Sequence, residues 1–173
     1  YFEYSKHLDD YPDSMHYRYD NVITLRTFSK AHGLAGFRVG YGFAHEDLIE
    51  NLLKVKLPFE PSWPAQVAAM AALDDNDHIQ STISHCQQGM EKMITVFNEM
   101  DFDMIESAAN FITLVFDGEE EAFTFNENML HQGVILRHLT GWGLPDCVRV
   151  TIGRNEENEY LIDCLSSMLT TSE

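Results

Sequence analysis

The sequence predicts an α/β protein, in which a mixed region at residues 1–77 is followed by an interdomain helix and a small α+β domain at residues 78–173. Three observations support this prediction. Short β-rich apolar runs flank a glycine-rich turn near the start of the chain, a long stretch with helical spacing follows, and strands then alternate with helices. With 173 residues and 45% hydrophobic content, the chain can bury a sizeable core.

In the first region, we expect strands at residues 22–27 and 37–43 after a polar, aromatic loop at residues 4–21. A helix follows over residues 45–56, because its apolar side chains recur largely at helical spacing, and nearby prolines end it. The alanine-rich stretch 65–73 predicts a helix that is apolar almost all round, which is typical of a buried helix or a subunit interface.

In the second region, residues 78–100 have the spacing of one long amphipathic helix, which suits a connection between domains. The remaining pattern predicts strands at residues 104–106, 111–116, 134–137 and 148–152, and helices at residues 120–131 and 156–169. This order favours an antiparallel sheet covered by helices.

One lysine lies among residues that suit a phosphate-bearing coenzyme. Lys30 follows Thr27 and Ser29, and Arg38 comes eight residues later, after a glycine-rich turn. Pyridoxal phosphate needs an amine to form a Schiff base with its aldehyde, and it needs hydroxyls, N–H groups and a guanidinium to hold its phosphate. A solvated surface lysine, which is the common case, has no need of such surroundings. The segment therefore indicates a site for pyridoxal phosphate.

Two further arginines lie in predicted strands with apolar neighbours. Arg149 is flanked by Val148 and Val150, so strand alternation directs its side chain to the face opposite theirs. Arg137 ends the preceding predicted strand. A buried or half-buried arginine must find an anion, which is either one of the 28 acidic side chains or a ligand.

Several motifs in order carry a resemblance to a known family. They are Tyr1–Tyr4, Thr27–Arg38 with Gly40-Tyr41-Gly42, Gly133–Arg137, Gly141-Trp142-Gly143-Leu144-Pro145, and Val148–Gly153. Together they resemble the fold-type I, pyridoxal-phosphate-dependent aminotransferases, and within them most closely the histidinol-phosphate aminotransferase family. The similarity runs from the first residue to about Glu159, and the order of the motifs makes it more specific than any single motif.

The resemblance implies a large coenzyme-binding domain followed by a small domain, and it implies roles for five residues of the first region. Lys30 is the catalytic lysine that binds the coenzyme and moves a proton between the substrate and the coenzyme. Tyr1 donates a hydrogen bond to the phenolic oxygen of the coenzyme. Thr27, Ser29 and Arg38 surround its phosphate.

The resemblance also implies the substrates. The arginine at position 149 binds the α-carboxylate of an amino acid, and the arginine at position 137 helps to hold a substrate phosphate. Two anion sites suit a phosphorylated amino compound, so we expect transamination between histidinol phosphate and a keto acid, 2-oxoglutarate. The family works as a homodimer, and the helix at residues 65–73 could contribute to that contact.

The family pattern has further parts that this sequence lacks. They are the aspartate that pairs with the pyridine nitrogen, a phosphate-cupping loop and helix, and an aromatic residue that stacks on the ring. We therefore expect the 173-residue chain to be a carboxyl-terminal portion that binds the coenzyme poorly and has little or no activity alone.

Three alternatives stay open. Threonine-phosphate decarboxylase shares the fold, the lysine and a phosphorylated substrate, and aromatic amino acid aminotransferases share the fold and the chemistry. The Gly141–Pro145 segment before Arg149 favours the histidinol-phosphate aminotransferase family over both. A non-catalytic effector-binding module of a transcription regulator is the alternative of another class, although nothing basic accompanies this chain as a DNA-binding domain would.

Composition limits the partners and the compartment. The formal net charge of −17 argues against nucleic acid as a ligand, and no apolar run is long enough for a membrane span. The three cysteines are far apart and the eight histidines form no metal-binding motif, so we expect reduced thiols and no metal site. With no signal peptide at the start, we expect a cytoplasmic protein.

Overall fold

The structure is a computed structural model that describes residues 1–17 and 19–170. The chain divides into two compact units, Tyr1–Ile83 and Ser84–Glu173. This division and the domain boundary predicted after residue 77 both fall within one helix, Asn76–Glu99. No helix among the described residues is long and apolar enough to cross a membrane.

The first unit consists of a short hairpin with helices on either side of it in the chain. Its elements are α1 (Phe2–Ser5), a 3₁₀ helix (Ser14–His16), β1 (Thr24–Thr27), a 3₁₀ helix (Ala35–Phe37), β2 (Gly40–Phe43), α2 (Glu46–Val55), α3 (Trp63–Asp74) and the start of α4 (Asn76–Glu99). Strands β1 and β2 are antiparallel, and Thr27 pairs with Gly40 at the closed end.

A small core lies under this hairpin. Phe28 and Val39, which flank the loop that joins the strands, pack with Ala65 and Ala69 of α3. Both strands are shorter than predicted. The predicted second strand began at Phe37, but that residue ends a 3₁₀ helix, and Arg38 then takes a left-handed backbone conformation that no strand can continue through.

Helix α3 is largely exposed in the described chain, so the first of its two predicted environments, a buried helix, is wrong, and the second, a subunit interface, stays a prediction. Only Ala65 and Ala69 are buried among its residues, whereas its large apolar side chains are exposed, including Trp63, Val67, Met70 and Leu73. An apolar helix needs a second surface to cover such side chains, so these four side chains form an unpartnered apolar face in the described part of the chain.

The second unit is built on a four-stranded antiparallel sheet. Its elements after α4 are β3 (Asp103–Ile105), β4 (Phe111–Val115), α5 (Glu119–His131), β5 (Arg137–His138), a 3₁₀ helix (Thr140–Trp142), β6 (Cys147–Thr151) and α6 (Asn155–Thr170). The strand order is β3-β4-β6-β5. The core is filled by side chains of the two central strands and the helices, the most buried being Met93, Phe97, Ile112, Leu114, Met129, Val148, Val150 and Leu165.

The strand predicted at residues 134–137 is wrong except for its last residue. Helix α5 ends at His131, Gly133 follows it with a φ of 84°, and the N–H of Val134 donates to the carbonyl of Met129 at 2.9 Å. Bonds of this kind satisfy the last carbonyls of a helix. The backbone of Val134 is therefore used to end α5, and β5 begins only at Arg137.

Candidate functional site

Four of the residues singled out from the sequence lie where β1 leads into β2: Thr27 ends β1, and Ser29, Lys30 and Arg38 lie in the loop that follows. The pairing of Thr27 with Gly40 continues one step into the loop, where the N–H of Phe28 donates to the carbonyl of Val39 at 3.3 Å. This register places Thr27 opposite Gly40 and Phe28 opposite Val39, so the two ends of the loop lie side by side. The start and the end of the loop, which bear the two hydroxyls and the guanidinium, are therefore neighbours.

The lysine lies in a tight turn within this loop. The N–H of Ser29 donates to the hydroxyl oxygen of Thr27 at 3.1 Å, and the N–H of Gly33 donates to the carbonyl of Lys30 at 2.9 Å. Gly33 has a φ of 71°, a conformation that glycine adopts without strain. Lys30 itself is exposed, and its Nζ lies 5.2 Å from the centroid of the Tyr1 ring. The amine is therefore accessible and has an aromatic neighbour.

Arg38 is held in a strained conformation at the end of the loop. Its φ and ψ are 51° and 48°, a region that costs an L-residue about 1–2 kcal/mol. Its Nη1 donates to the carbonyl of Ala35 at 2.8 Å, and it forms no ion pair with any residue that the structure describes. Backbone strain of this kind is concentrated at binding sites. The guanidinium is available to an anion.

Arg26 of β1, unlike Arg38, has an acidic partner. Its Nη2 forms an ion pair with Asp13 at 2.5 Å, and its guanidinium lies 4.0 Å above the centre of the Phe2 ring. It is nearly buried, with 10% of its side chain exposed. Arg26 therefore has a structural partner within the chain, which Arg38 lacks.

Tyr1 and Thr27 share a pocket of about 710 Å³ in the first unit. Arg26 and Tyr41 also line it, whereas Ser29, Lys30 and Arg38 do not. Burial raises the pKa of the Tyr41 hydroxyl, and the nearby carboxylate of Glu3 acts in the same direction. The predicted coenzyme residues therefore fall into two groups. Ser29, Lys30 and Arg38 lie in the loop, Tyr1 and Thr27 line the pocket, and the contact of the Lys30 amine with the Tyr1 ring connects the two groups.

In the second unit, the two predicted substrate arginines are cross-strand neighbours. Arg137 of β5 pairs directly with Arg149 of β6, and Thr113 of β4 pairs with Arg149 on its other side. The guanidinium of Arg149 lies 5.1 Å from the centroid of the Phe111 ring. Like charges placed directly opposite each other are unfavourable in a sheet.

Neither of these arginines has an acidic partner within the described residues. Both are missing from the ion pairs that those residues form, and the buried Nε of Arg149 has no hydrogen-bond partner. The chain carries 28 acidic residues, so the lack of a partner points away from a structural ion pair. Arginine side chains bind carboxylates and phosphates, and these two belong to residues directly opposite each other in neighbouring strands.

The sequence motifs assign no role to His32 or to Glu3. The structure brings them together, with Nε2 of His32 at 3.5 Å from Oε1 of Glu3. Glu3 follows Tyr1 by two residues, as His32 follows Lys30, but no pattern in the sequence connects the two segments.

The groups in the first unit fit pyridoxal phosphate as a chemical set. They provide an accessible primary amine on Lys30, the hydroxyls of Thr27 and Ser29, and the Arg38 guanidinium without a carboxylate partner. An amine binds an aldehyde, and hydroxyls with a guanidinium bind a phosphate dianion. The fit rests on the chemistry of these donors and on the loop that brings them together.

Comparison with known families agrees with this set of groups. Residues 8–165 match the family model "Aminotransferase class I and II". The chain belongs to this family, whose members are pyridoxal-phosphate-dependent transferases.

Individual proteins within this family are similar to the chain in sequence and in structure. The chain is 43% identical over 171 residues to histidinol-phosphate aminotransferase 1 of Nitrosococcus oceani, covering 98% of this chain and 45% of that protein. Histidinol-phosphate aminotransferase of Sinorhizobium meliloti in complex with pyridoxal-5'-phosphate superposes with a TM-score of 0.82 at 25% identity, covering 89% of this chain and 42% of that one. L-threonine-O-3-phosphate decarboxylase of Porphyromonas gingivalis gives a TM-score of 0.73 at 25% identity, covering 87% and 47%. The chain spans about half the length of the proteins it matches.

Proposed function

We propose that this chain is the lysine-bearing half of a pyridoxal-phosphate-dependent histidinol-phosphate aminotransferase. The enzyme would transfer the amino group of histidinol phosphate to 2-oxoglutarate, giving imidazole-acetol phosphate and glutamate, in histidine biosynthesis. In fold terms, the first unit would be part of a fold-type I large domain and the second unit its small α+β domain. The 43% identity to the Nitrosococcus oceani protein supports this substrate, and the unpartnered Arg137 and Arg149 are the observation that carries it.

Each of the predicted residues of the first unit would have its own role in binding the coenzyme or in moving a proton. When bound, pyridoxal phosphate supplies an aldehyde that captures an amine and a ring that withdraws electrons from the substrate carbon. The Nζ of Lys30 would bind that aldehyde and then move the proton released from the substrate carbon. The hydroxyl of Tyr1 would donate to the phenolic oxygen, and Thr27, Ser29 and Arg38 would hold the phosphate.

The arginine pair of the second unit would hold the two substrates in turn. Arg149, with its guanidinium beside Phe111 and its Nε without a partner, would bind the α-carboxylate of glutamate or 2-oxoglutarate. The more exposed Arg137 would bind the phosphate of histidinol phosphate. Because the two side chains are direct neighbours across the strands, an anion at one of them also relieves the repulsion between them.

Full activity would need more than the 173 residues, since the relatives are about twice as long. We propose that the chain alone binds the coenzyme weakly and has little turnover. We also propose a cytoplasmic homodimer, for which the exposed apolar face of α3, formed by Trp63, Val67, Met70 and Leu73, provides a contact surface.

A chimera tests this function. The chain would replace the matching segment of the Nitrosococcus oceani protein, and the product would be assayed for glutamate formation from histidinol phosphate and 2-oxoglutarate. We expect turnover, and we expect Arg137→Gln to reduce kcat/KM for histidinol phosphate by roughly 30-fold or more, as truncation of one partner of a bound charge pair does.

Arg154→Gln is the matched control. Arg154 lies in the same unit, but it is exposed and already paired with Glu157 at 2.9 Å, so its loss should leave kcat/KM unchanged. Carbon dioxide release from threonine phosphate without a keto acid would favour the decarboxylase instead. A folded chimera without transaminase activity would contradict the proposed function.

A further inference from the structure

Two segments of the first unit, one bearing Tyr1 and the other bearing Lys30, are joined by a contact that no coenzyme group provides. Oε1 of Glu3 lies 3.5 Å from Nε2 of His32. Each partner follows the functional residue of its own segment by two positions. The contact between Glu3 and His32 therefore joins the same two segments that carry the Tyr1 ring and the Lys30 amine.

Both partners are nearly buried. The side chain of Glu3 is 11% exposed and that of His32 is 8% exposed. A carboxylate at this depth requires a charged or hydrogen-bonding partner, because its removal from water is otherwise unfavourable. By comparison, the pair of His45 and Asp47 has the same 3.5 Å separation, but it lies at the surface with 40% and 81% exposure, where such a pair contributes little.

His32 is anchored to the core of the unit. Its ring lies 4.9 Å from the ring of Phe28, which is 3% exposed and packs against Val39, Ala65 and Ala69. The imidazole therefore has a fixed partner on one side and the carboxylate of Glu3 on the other. The packing of His32 on Phe28 therefore also restrains the position of the Glu3 carboxylate.

The backbone transmits this restraint to the two functional residues. The N–H of Tyr4 donates to the carbonyl of Tyr1 at 3.0 Å, so Tyr1 and Glu3 belong to one tight turn. The N–H of Gly33 donates to the carbonyl of Lys30 at 2.9 Å, so Lys30 and His32 belong to another. A shift of Glu3 relative to His32 therefore changes the separation between the Tyr1 ring and Nζ of Lys30, now 5.2 Å.

We propose that Glu3 and His32 are a positioning pair that sets the Tyr1 ring against the Lys30 amine. This inference rests on the proposed function for its catalytic meaning, since Tyr1 and Lys30 would act on the same coenzyme. Glu3 also lines the pocket that Tyr1 and Thr27 share, and we propose that the pair acts through the two turns that it joins.

The test is a measurement of the Lys30 side chain by NMR in the full chain without coenzyme. With ¹³C at the lysine ε-carbons, the five lysines give five signals. The ring current of Tyr1 should displace the Lys30 signal from those of the other four, and Tyr1→Leu, which removes the ring, should abolish the displacement and so assign the signal. Glu3→Gln removes the charge while keeping the shape, and His32→Phe keeps the ring that packs on Phe28.

We expect each of these two variants to lose most of the displacement, and the double variant to lose no more than the larger single effect. Asp47→Asn, which removes the surface pair, should leave the Lys30 signal unchanged. The contact of Arg26 with the Phe2 ring keeps α1 against β1, and thermal unfolding of each variant will verify that it is folded.

Full displacement in both folded variants would overturn the proposal, as would its absence in the unmodified chain. If a variant fails to fold, the other single variant decides the question. Because no coenzyme is present, this result is independent of whether the chain proves to belong to a transaminase, and the two ideas can fail separately.

Discussion

Substitution of Arg38 tests whether its unfavourable backbone conformation is retained because its guanidinium binds the coenzyme phosphate. Its backbone is left-handed, with φ at 51°, and its side chain makes one exposed hydrogen bond, to the carbonyl of Ala35. If the guanidinium is there for a phosphate, then a residue without that guanidinium but with a freer backbone should fold better and bind the coenzyme worse. The informative comparison is Arg38→Gly with Arg38→Ala.

The size of the effect follows from the backbone. An L-residue in this region loses about 1–2 kcal/mol relative to its preferred conformation, and glycine does not. Glycine loses more entropy on folding, which offsets about 0.5–1 kcal/mol of that gain. The hydrogen bond to Ala35 is lost in both variants and cancels. Arg38→Gly should therefore be more stable than Arg38→Ala by about 0.5–1 kcal/mol.

Urea unfolding of the chain measures this difference. With a slope of about 2 kcal/mol per molar, the midpoint of Arg38→Gly should exceed that of Arg38→Ala by roughly 0.3–0.5 M. In the chimera, both variants should bind pyridoxal phosphate roughly 10- to 150-fold more weakly than the unmodified protein, because a hydrogen bond to a charged group contributes about 1.5–3 kcal/mol. If Arg38→Ala proved as stable as Arg38→Gly, or if coenzyme affinity did not change, the argument would be refuted.

Three further predictions concern the rest of the chain. Leu114 is fully buried in the central strand β4, so Leu114→Ala should destabilise the chain by about 2–5 kcal/mol in urea unfolding, and a smaller effect than that would place this side chain outside the core. The N–H of Met15 and the ion pair with Arg26 lower the pKa of the Asp13 carboxyl, so the stability that Asp13→Asn removes should be present at neutral pH and should vanish as the pH falls below about 4; a difference that persists in acid would contradict this. Burial raises the pKa of the Cys86 thiol, so this cysteine should react with a disulfide reagent only after unfolding, and rapid labelling of the folded chain would show that it is exposed.

Local chemistry made the lysine segment predictable. A lysine between hydroxyl residues, a glycine-rich turn and an arginine all lie within twelve residues of sequence. The structure places Thr27 at the end of β1 and Ser29, Lys30 and Arg38 in the loop that follows, although the sequence had predicted a strand at Arg38. Helix periodicity was similarly informative, since α4, α5 and α6 begin within one or two residues of the predicted positions. In these cases the information is contained in consecutive residues.

Other features depend on contacts between distant residues. Strand β5 could not be placed from its composition, because Val134 satisfies a carbonyl of the preceding helix rather than a neighbouring strand. The direct pairing of Arg137 with Arg149 depends on the register of two strands joined by an irregular loop, and no local pattern fixes that register.

The environment of α3 and the partner of His32 were unpredictable for the same reason. An alanine-rich helix that is apolar all round does not indicate which face is covered, and the structure buries only the face that carries Ala65 and Ala69. Glu3 precedes His32 by 29 positions (32 − 3) in the sequence, and only the folded chain shows that their side chains meet.

The proposed function depends on Lys30 as the lysine that holds pyridoxal phosphate. The most direct test is to add the coenzyme to the chimera, reduce with borohydride and map the modified peptide by mass spectrometry. We predict that the coenzyme is attached to Lys30, whereas Lys6, Lys54, Lys56 and Lys92 remain unmodified. Attachment to any other lysine, or none in a folded chimera, would contradict it.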